Sequence, residues 1–199
     1  MASNTAVLFF SDNGGPVNVG ASNRPLRGMK ATTFEGGTRV PAILRWPGKI
    51  KPGTKSSQVM TVWDVFPTLA GAAGVKPAGK QPLDGRNLWN EISSGKAAQR
   101  EDLFFAVESA GMLHFAVHSG SWKLVRQTTA KSENNMLFRI AEDPNEAKDL
   151  SAENPRVVRD LIAKLETWRS VHPANGLRHS DAAPAGWKAP KAWADDAAR

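Results

Sequence analysis

A carboxylate and an amide stand side by side near the start of the chain, and together they could bind a cation. Asp12 and Asn13 follow the apolar stretch Val7–Phe10 and precede Gly14 and Gly15. Their side chains offer two hard oxygens, the ligand type that suits Ca²⁺ or Mg²⁺. The glycines let the backbone turn tightly and pass close to a bound group. An Asx-turn after a strand is the alternative interpretation of the same residues.

The element that must position this pair is predicted to be a buried strand over Ala6–Phe10. The run is short, contains two phenylalanines and stops at a double glycine, which favours a strand over a helix. In an open α/β sheet, ligands bind at the edge where such strands end. The sequence therefore predicts that Asp12 and Asn13 lie at a candidate binding edge.

Four stretches occur in a fixed order along the first quarter of the chain. They are S-D-N-G-G at 11–15, P-L-R-G-M-K at 25–30, T-F-E-G-G-T-R-V-P-A at 33–42 and R-W-P-G at 45–48. In this order and spacing they resemble the sulfatase family of the alkaline phosphatase superfamily. The typical motifs of that family are S-D-N-G, L-R-G-x-K, E-G-G-x-R-V-P-A and W-P-G. The resemblance runs from about Ala6 to about Leu165, and it covers only the C-terminal part of a sulfatase.

The resemblance implies a role for three residues. Asp12 and Asn13 would form half of a calcium site whose other carboxylates come from an N-terminal region, because calcium takes six to eight oxygens. Lys30 would contact the sulfate and its leaving oxygen, since an ammonium can neutralise a tetrahedral anion. Met29 stands where family members often carry a glycine, and its side chain could crowd the loop.

The chain has no cysteine, which excludes disulfides, zinc–thiolate sites and a cysteine nucleophile. Sulfatases of this family use a formylglycine made from a Cys, or sometimes a Ser, within C/S-x-P-x-R. The nearest stretch, Ser22–Arg27, has one residue too many between Ser and Pro, so that Asn23 occupies the nucleophile position. The formylglycine is therefore expected to be absent. The paired aspartates and histidines of the family's active site also lie upstream of the matching region.

Two functional hypotheses follow. The first is a sulfuric ester hydrolase fragment that carries part of the calcium and sulfate site and is inactive alone, for lack of the nucleophile region. The second is a standalone, non-catalytic module that binds a partner chain or an anionic glycan. In the first, the substrate of the complete enzyme is a sulfate ester, and a sulfated glycan would suit it.

The charge balance permits an acidic partner without identifying one. The formal net charge is +7, which allows nucleic acid, an anionic surface or an acidic polymer. The Lys and Arg residues are scattered and no nucleic-acid-binding motif is present, so no nucleic acid partner is predicted. No apolar run reaches the length of a membrane span. The start does not resemble a secretory signal, so the compartment is left open, although the family resemblance implies a periplasmic or secreted protein.

Three segments are predicted. Residues 1–100 are expected to be the C-terminal part of a sulfatase α/β core, which is alkaline phosphatase-like and partial. Because its strands would expose edges and apolar faces alone, we expect self-association or pairing with an N-terminal half. Residues 101–171 are expected to form a small α+β subdomain, with a helix packed on a four-stranded antiparallel sheet. Residues 172–199 are expected to be a tail rich in Ala, Pro and Trp, with Trp187 and Trp193 as anchors.

The local patterns place the remaining elements of the first segment. Glu35–Gly37 is predicted to be a turn, with Glu35 and Arg39 paired, and Arg39–Leu44 a second strand. A helix is predicted over Asp64–Gly74, with Asp64 as its N-cap and Gly74 just past its end.

In the second segment, short runs of alternating apolar and polar residues are separated by glycine and polar turns, which is typical of an antiparallel meander. The predicted strands are Leu103–Glu108, Leu113–His118, Trp122–Gln127 and Met136–Ile140. His114 and His118 share a strand face and lack a nearby third ligand. A helix is predicted from Asn154, its N-cap, with a core-facing stripe at helical spacing formed by Val158, Leu161, Ile162, Leu165 and Trp168.

Overall fold

A computed structural model describes residues 4–79 and 81–172, and the tail anchors Trp187 and Trp193 lie outside this part. The described chain forms a two-stranded sheet with short helices, followed by a four-stranded sheet with one long helix. None of the helices in this part is long and apolar enough to cross a bilayer.

The first strand forms as predicted but is not buried. Strand β1 (Val7–Phe10) pairs antiparallel with β2 (Ala42–Arg45), and Phe9 lies opposite Ile43. The predicted second strand, Arg39–Leu44, is thus shifted towards the C-terminus. Phe9 is 64% exposed and Ile43 63% exposed, because no other described element covers this face. The prediction of a buried strand is wrong for this chain, whereas the prediction that apolar faces would be exposed is confirmed.

The predicted glycine turn is a single turn of helix. Helix α1 (Glu35–Thr38) contains both glycines of the E-G-G-T stretch, and Gly36 and Gly37 are buried. Glycine is a poor helix former, so local propensity favours a turn here. The helix forms because its backbone is held from outside, with the Gly36 N–H donating to Arg27 O at 2.6 Å. The predicted pair is present, with Arg39 Nη1 3.7 Å from Glu35 Oε2.

Asp64 is the N-cap of helix α2 (Val65–Ala72) by position, as predicted, but its side chain makes no capping hydrogen bond to that helix. A single 3₁₀ turn over Val62–Asp64 precedes it, with Thr61 as the N-cap of a capping box. The Asp64 carboxylate accepts hydrogen bonds from the Thr61 N–H at 2.7 Å and hydroxyl at 2.6 Å. Asp64 therefore fills the third position of the box. The end of the helix agrees with the prediction, because Gly74 follows the C-cap with φ +72°.

Asp64 is also the centre of a buried polar cluster that stabilises this region. Its side chain is fully buried, and Arg100 Nη1 lies 2.6 Å from its Oδ2. The Arg86 N–H donates to Oδ1 at 2.8 Å. Burial opposes ionisation, but the hydrogen bonds from Arg100, Thr61 and Arg86 outweigh it, so the pKa of Asp64 lies below its ordinary value. Its role is therefore structural. Helix α3 (Trp89–Ser94), which the sequence analysis did not predict, follows this cluster.

The second segment is a four-stranded meander, as predicted. Its strands are β3 (Leu103–Ser109), β4 (Met112–Ser119), β5 (Trp122–Thr128) and β6 (Glu133–Arg139). All neighbours are antiparallel in the order β3-β4-β5-β6. The last strand starts three residues earlier than predicted, because polar Glu133–Asn135 pair with the end of β5 although they lack an apolar pattern.

Helix α4 (Pro155–Ser170) covers one face of this sheet, as the apolar stripe predicts. Leu161 packs with Val117, Leu124 and Leu137, and the Trp168 ring stacks on Phe104 with centroids 5.3 Å apart. Asn154 is the N-cap by position, but its side chain donates back to Leu150 O rather than capping the helix. The opposite face of the sheet packs on Phe34, which precedes α1. The four-stranded sheet therefore lies between α4 and the segment that carries the family motifs.

Candidate functional site

The Asp12–Asn13 pair lies in a tight loop directly after β1. Ser11 Oγ donates to Asn13 O at 2.9 Å, and Asp12 Oδ1 accepts the Asn13 N–H at 2.9 Å. Asp12 is exposed and Asn13 half-buried. One carboxylate oxygen thus organises the loop, and the other oxygen of Asp12 and the Asn13 side-chain amide form no hydrogen bond with the described residues, which leaves both for a ligand.

This loop packs closely against two other backbone segments, and glycines make the close approach possible. We call the set of residues 11–15, 27–32 and 34–38 the glycine junction. The Gly14 N–H donates to Gly37 O at 3.0 Å. A Cβ on Gly36 would lie 2.5 Å from Arg27 O, and one on Gly37 would lie 2.5 Å from Met29 O. Because a side chain at these positions would meet backbone, the repeated glycines of the motifs are explained by packing.

Lys30 lies in the second segment of the glycine junction. Its N–H donates to Gly15 O at 3.4 Å, which brings its loop next to the loop of Asp12 and Asn13. The Lys30 side chain is exposed and forms no ion pair with any residue that the structure describes. The structure therefore brings the three predicted site residues onto adjoining loops, without a direct contact between their side chains.

The backbone at Met29 has an ordinary conformation for a residue with a side chain. The positive φ angles in this loop belong to Gly28 (+86°) and Ala31 (+66°), and residue 29 lies outside the left-handed region. The Thr32 hydroxyl fixes the turn, because it donates to Met29 O at 2.8 Å and accepts the Met29 N–H at 3.2 Å. A side chain at this position is therefore compatible with the loop.

Asn23, the residue at the nucleophile position of the aligned stretch, is a bridge between loops. Its Oδ1 accepts the Gly15 N–H at 2.7 Å, and its Nδ2 donates to Gly15 O at 2.8 Å and Gly28 O at 3.2 Å. Its Oδ1 and both hydrogens of its Nδ2 are thus engaged by backbone. Its geometry supports the interpretation that the match to the nucleophile motif is a coincidence.

A buried ion cluster, which was not predicted from the sequence, joins the glycine junction to the four-stranded sheet. Lys123 on β5 is 1% exposed, and its Nζ lies 2.8 Å from Glu35 Oε1 and 3.0 Å from Glu146 Oε1. Glu146 is fully buried. Burial raises the pKa of Glu146, and the nearby Lys123 ammonium opposes that rise. We call Glu35, Lys123 and Glu146 the buried ion cluster.

A sequence signal for this cluster existed. Alternation puts Lys123 on the same strand face as Val125, opposite Trp122 and Leu124, and the apolar Val125 indicates that this second face is covered as well. A lysine at such a position requires a buried partner. The partner could not be identified, because Glu35 and Glu146 are remote in the chain.

Arg27 of the L-R-G-x-K stretch also faces the sheet. Its Nη1 donates to Glu146 O at 3.2 Å, and its guanidinium lies 4.3 Å from the centroid of the Phe34 ring. The side chains of Arg27 and Glu35 therefore both point towards the sheet and away from the Asp12 loop. The motifs thus contain residues that face the candidate site and residues that attach the site to the sheet.

The two histidines of β4 lie on the face of the sheet that carries the buried ion cluster. His114 is buried and its Nδ1 lies 3.3 Å from Gln127 Nε2. Burial lowers the pKa of both histidines; for His118 the Lys123 and Arg39 charges add to this effect, and Glu35 opposes it. Within residues 4–79 and 81–172, no three His, Asp or Glu side chains converge as a metal site.

The comparisons with known proteins agree with the motifs. The family model described as Sulfatase matches residues 1–75. An N-acetylgalactosamine-6-sulfatase of Sus scrofa is 33% identical over 179 residues, covering 76% of this chain and 34% of the relative. A sulfatase of Formosa agariphila is 33% identical over 182 residues, covering 83% of this chain and 32% of the relative.

The solved structures give the same result for the fold. The crystal structure of Ps i-CgsB in complex with k-i-k-neocarrahexaose matches with a TM-score of 0.78 and 30% identity, over 90% of this chain and 40% of that one. The fold is thus that of the alkaline phosphatase-like sulfatases, with a mixed α/β architecture. The chain is similar to sulfatases over most of its length and corresponds to a C-terminal part of its relatives. It spans about a third of the length of the curated relatives that it matches.

Proposed function

We propose that this chain is the C-terminal part of a calcium-dependent sulfuric ester hydrolase. Asp12 and Asn13 contribute two ligands to the calcium site, and Lys30 contacts the sulfate and its leaving oxygen. The observation that supports this most is the glycine junction, which places the loops of all three residues side by side in a chain that is similar to sulfatases.

The donor set fits part of a calcium site. A carboxylate and an amide oxygen are the ligands that calcium takes, and both have capacity left after their loop hydrogen bonds. Two adjacent side chains supply too few of the six to eight oxygens, so tight binding requires further carboxylates from elsewhere. A bound calcium would polarise the sulfate oxygens.

Hydrolysis of a sulfate ester needs a nucleophile at sulfur, cations on the sulfuryl oxygens and an acid for the leaving alcohol. Lys30 supplies a cation on a loop held by Gly15 and by the Thr32 hydroxyl. No residue of this chain matches the formylglycine position. We therefore propose that the isolated chain does not hydrolyse sulfate esters.

For the substrate class we propose a sulfated glycan. The pig relative is an N-acetylgalactosamine-6-sulfatase by name, and the crystal structure with the TM-score of 0.78 holds k-i-k-neocarrahexaose. Both names refer to carbohydrates, and the net charge of +7 suits an anionic polymer.

A test begins with the native polypeptide. An antibody raised against the chain should detect a polypeptide well above 21.5 kDa in the source, and the purified polypeptide should release sulfate from a sulfated glycan. Chelation should stop this release and calcium should restore it. Lys30→Met should abolish release, whereas Lys49→Met, which changes an exposed lysine beyond β2, should not. Activity that survives either chelation or Lys30→Met would refute the proposal.

One observation favours the second candidate, a non-catalytic module that binds a partner chain. The β1–β2 pair exposes Phe9, Ile43 and Val7, a combination that is typical of surfaces covered by protein. A native polypeptide of 21.5 kDa that co-purifies with a second chain and releases no sulfate would support this function.

A further inference from the structure

The buried ion cluster occupies the interface between the four-stranded sheet and helix α1. Lys123 projects from β5, Glu35 opens α1, and Glu146 follows β6 with φ +53°. Lys123 and Glu146 have no more than 1% of their side chains exposed, and Glu35 has 12%. Removing one member of such a cluster leaves a buried charge without compensation, which strongly disfavours the native arrangement.

Helix α1 is connected to the cluster at its first residue. Glu146 Oε2 accepts the Glu35 N–H at 2.7 Å, so one carboxylate holds the start of the helix while Lys123 holds the Glu35 side chain. Helix α1 has only four residues, and it cannot keep this shape by its own propensity. Its position is therefore set by the sheet.

The other segments of the glycine junction are bonded in turn to α1. Gly37 O accepts the Gly14 N–H at 3.0 Å, beside Asp12 and Asn13. Arg27 O accepts the Gly36 N–H at 2.6 Å, on the loop that leads to Lys30. A displacement of α1 would thus move both loops of the candidate site, because each has a direct hydrogen bond to the helix.

We propose that Lys123 is a positioning residue for the candidate site: by neutralising Glu35 and Glu146 it fixes α1, and through α1 the loops of Asp12, Asn13 and Lys30. The catalytic meaning of this role rests on the proposed function, whereas the mechanical coupling can be measured without any activity. Lys123 itself touches neither loop and is not a catalytic residue.

The variant Lys123→Met tests the coupling, because methionine preserves the length of the side chain while it removes the charge. Glu146 then loses its counter-charge and Glu35 keeps only the exposed Arg39, 3.7 Å away, so α1 should loosen. Lys164→Met is the matched control, since Lys164 on α4 pairs with Asp102, the residue before β3, but is 46% exposed. The double variant Lys123→Met/Glu146→Gln should rescue the position of α1, because glutamine removes one of the two negative charges and retains an oxygen for the Glu35 N–H.

Amide hydrogen exchange of the full chain is the measurement. In Lys123→Met we expect exchange of peptides from the glycine junction to quicken by about tenfold or more, with less than about a twofold change in α4. Lys164→Met should leave both unchanged, and the double variant should return the junction towards the wild-type rate. An equal increase in α4 would mean general destabilisation, and an unchanged junction would mean no coupling; either result overturns the proposal.

Two further measurements keep the outcomes separate. If Lys123→Met does not fold, Glu35→Gln should give the same local pattern with a smaller increase, and uniform exchange in that variant overturns the coupling. In the native polypeptide, Lys123→Met should lower sulfate release and the rescue should restore it in part. If Lys30→Met has no effect on release, the proposed function fails while the exchange result still decides the coupling.

Discussion

Replacing Gly14 by alanine tests whether the glycine junction is a packing requirement. An added Cβ would lie 1.7 Å from Gly36 O and 3.0 Å from Gly37 Cα, and both of these atoms belong to backbone. A carbon–oxygen contact needs about 3.3 Å, so one segment must move by roughly 1.5 Å. Such overpacking costs about 1–3 kcal/mol, and loss of the hydrogen bond from the Gly14 N–H adds about 1 kcal/mol.

We therefore expect Gly14→Ala to lower the free energy of unfolding by about 2–4 kcal/mol. Urea unfolding followed by amide exchange of the peptides over 11–15 and 34–38 measures it. Gly79→Ala is the matched control, because its added Cβ would meet nothing within 4 Å and its φ is not in the left-handed region. It should change stability by less than about 0.5 kcal/mol. A Gly14→Ala loss no larger than that of the control would refute the packing argument.

Three further predictions concern other parts of the chain. Asp64→Ala should cost about 3–5 kcal/mol in urea unfolding because it leaves Arg100 buried without a counter-charge, and a loss below about 1 kcal/mol would contradict this. Burial lowers the pKa of His118 from 6.5, so the unfolded state binds more protons below that pH. Stability should therefore fall as the pH drops below about 6.5, and His118→Gln should flatten the decline in unfolding curves from pH 7.5 to 5.5; an unchanged slope would exclude His118. Phe9→Ser should be nearly neutral in the isolated chain because Phe9 is 64% exposed, and it should cost about 2 kcal/mol in a native polypeptide that covers this face. Unfolding both forms in urea distinguishes these outcomes, and equal losses would mean that nothing covers the strand.

The elements of the second half were predictable because their signals are local. Alternating strands, the glycine turns and the apolar stripe around Leu161 and Leu165 each fall within a few residues. Each of these patterns also agrees with the packing observed, since the stripe faces the sheet. The boundaries were less accurate where strand pairing extends into polar residues, as at Glu133.

The first half was predicted less well because its structure depends on distant contacts. Helix α1 contains two glycines and exists only through bonds to Arg27 and Glu146. The burial of β1 could not be judged, because burial depends on what covers the strand. Asp64 is a third case: its place at the N-cap of α2 was predictable from its type, but its carboxylate binds Thr61 and the buried Arg100 instead of capping that helix.

Among the candidate site residues, Asp12 and Asn13 were indicated by their oxygen ligands at the end of a strand, and the resemblance then implied calcium. Lys30 came from motif order alone, and the structure sets the loops of all three side by side. The residues that hold those loops were missed, because Lys123 and Glu146 reach them from the other half of the chain. A pattern within one strand reveals a buried lysine and cannot reveal its partner.

The buried ion cluster has a consequence for the order of folding. Its contacts join residues 88 and 111 positions apart in the chain, and the bond from Arg27 to Glu146 spans 119 positions. The meander of β3–β6 uses only neighbouring strands. Contacts between sequence neighbours form faster, since distant ones must first close a long loop. The sheet should therefore be a template that forms early, and the loops of Asp12 and Lys30 should reach their final conformation last.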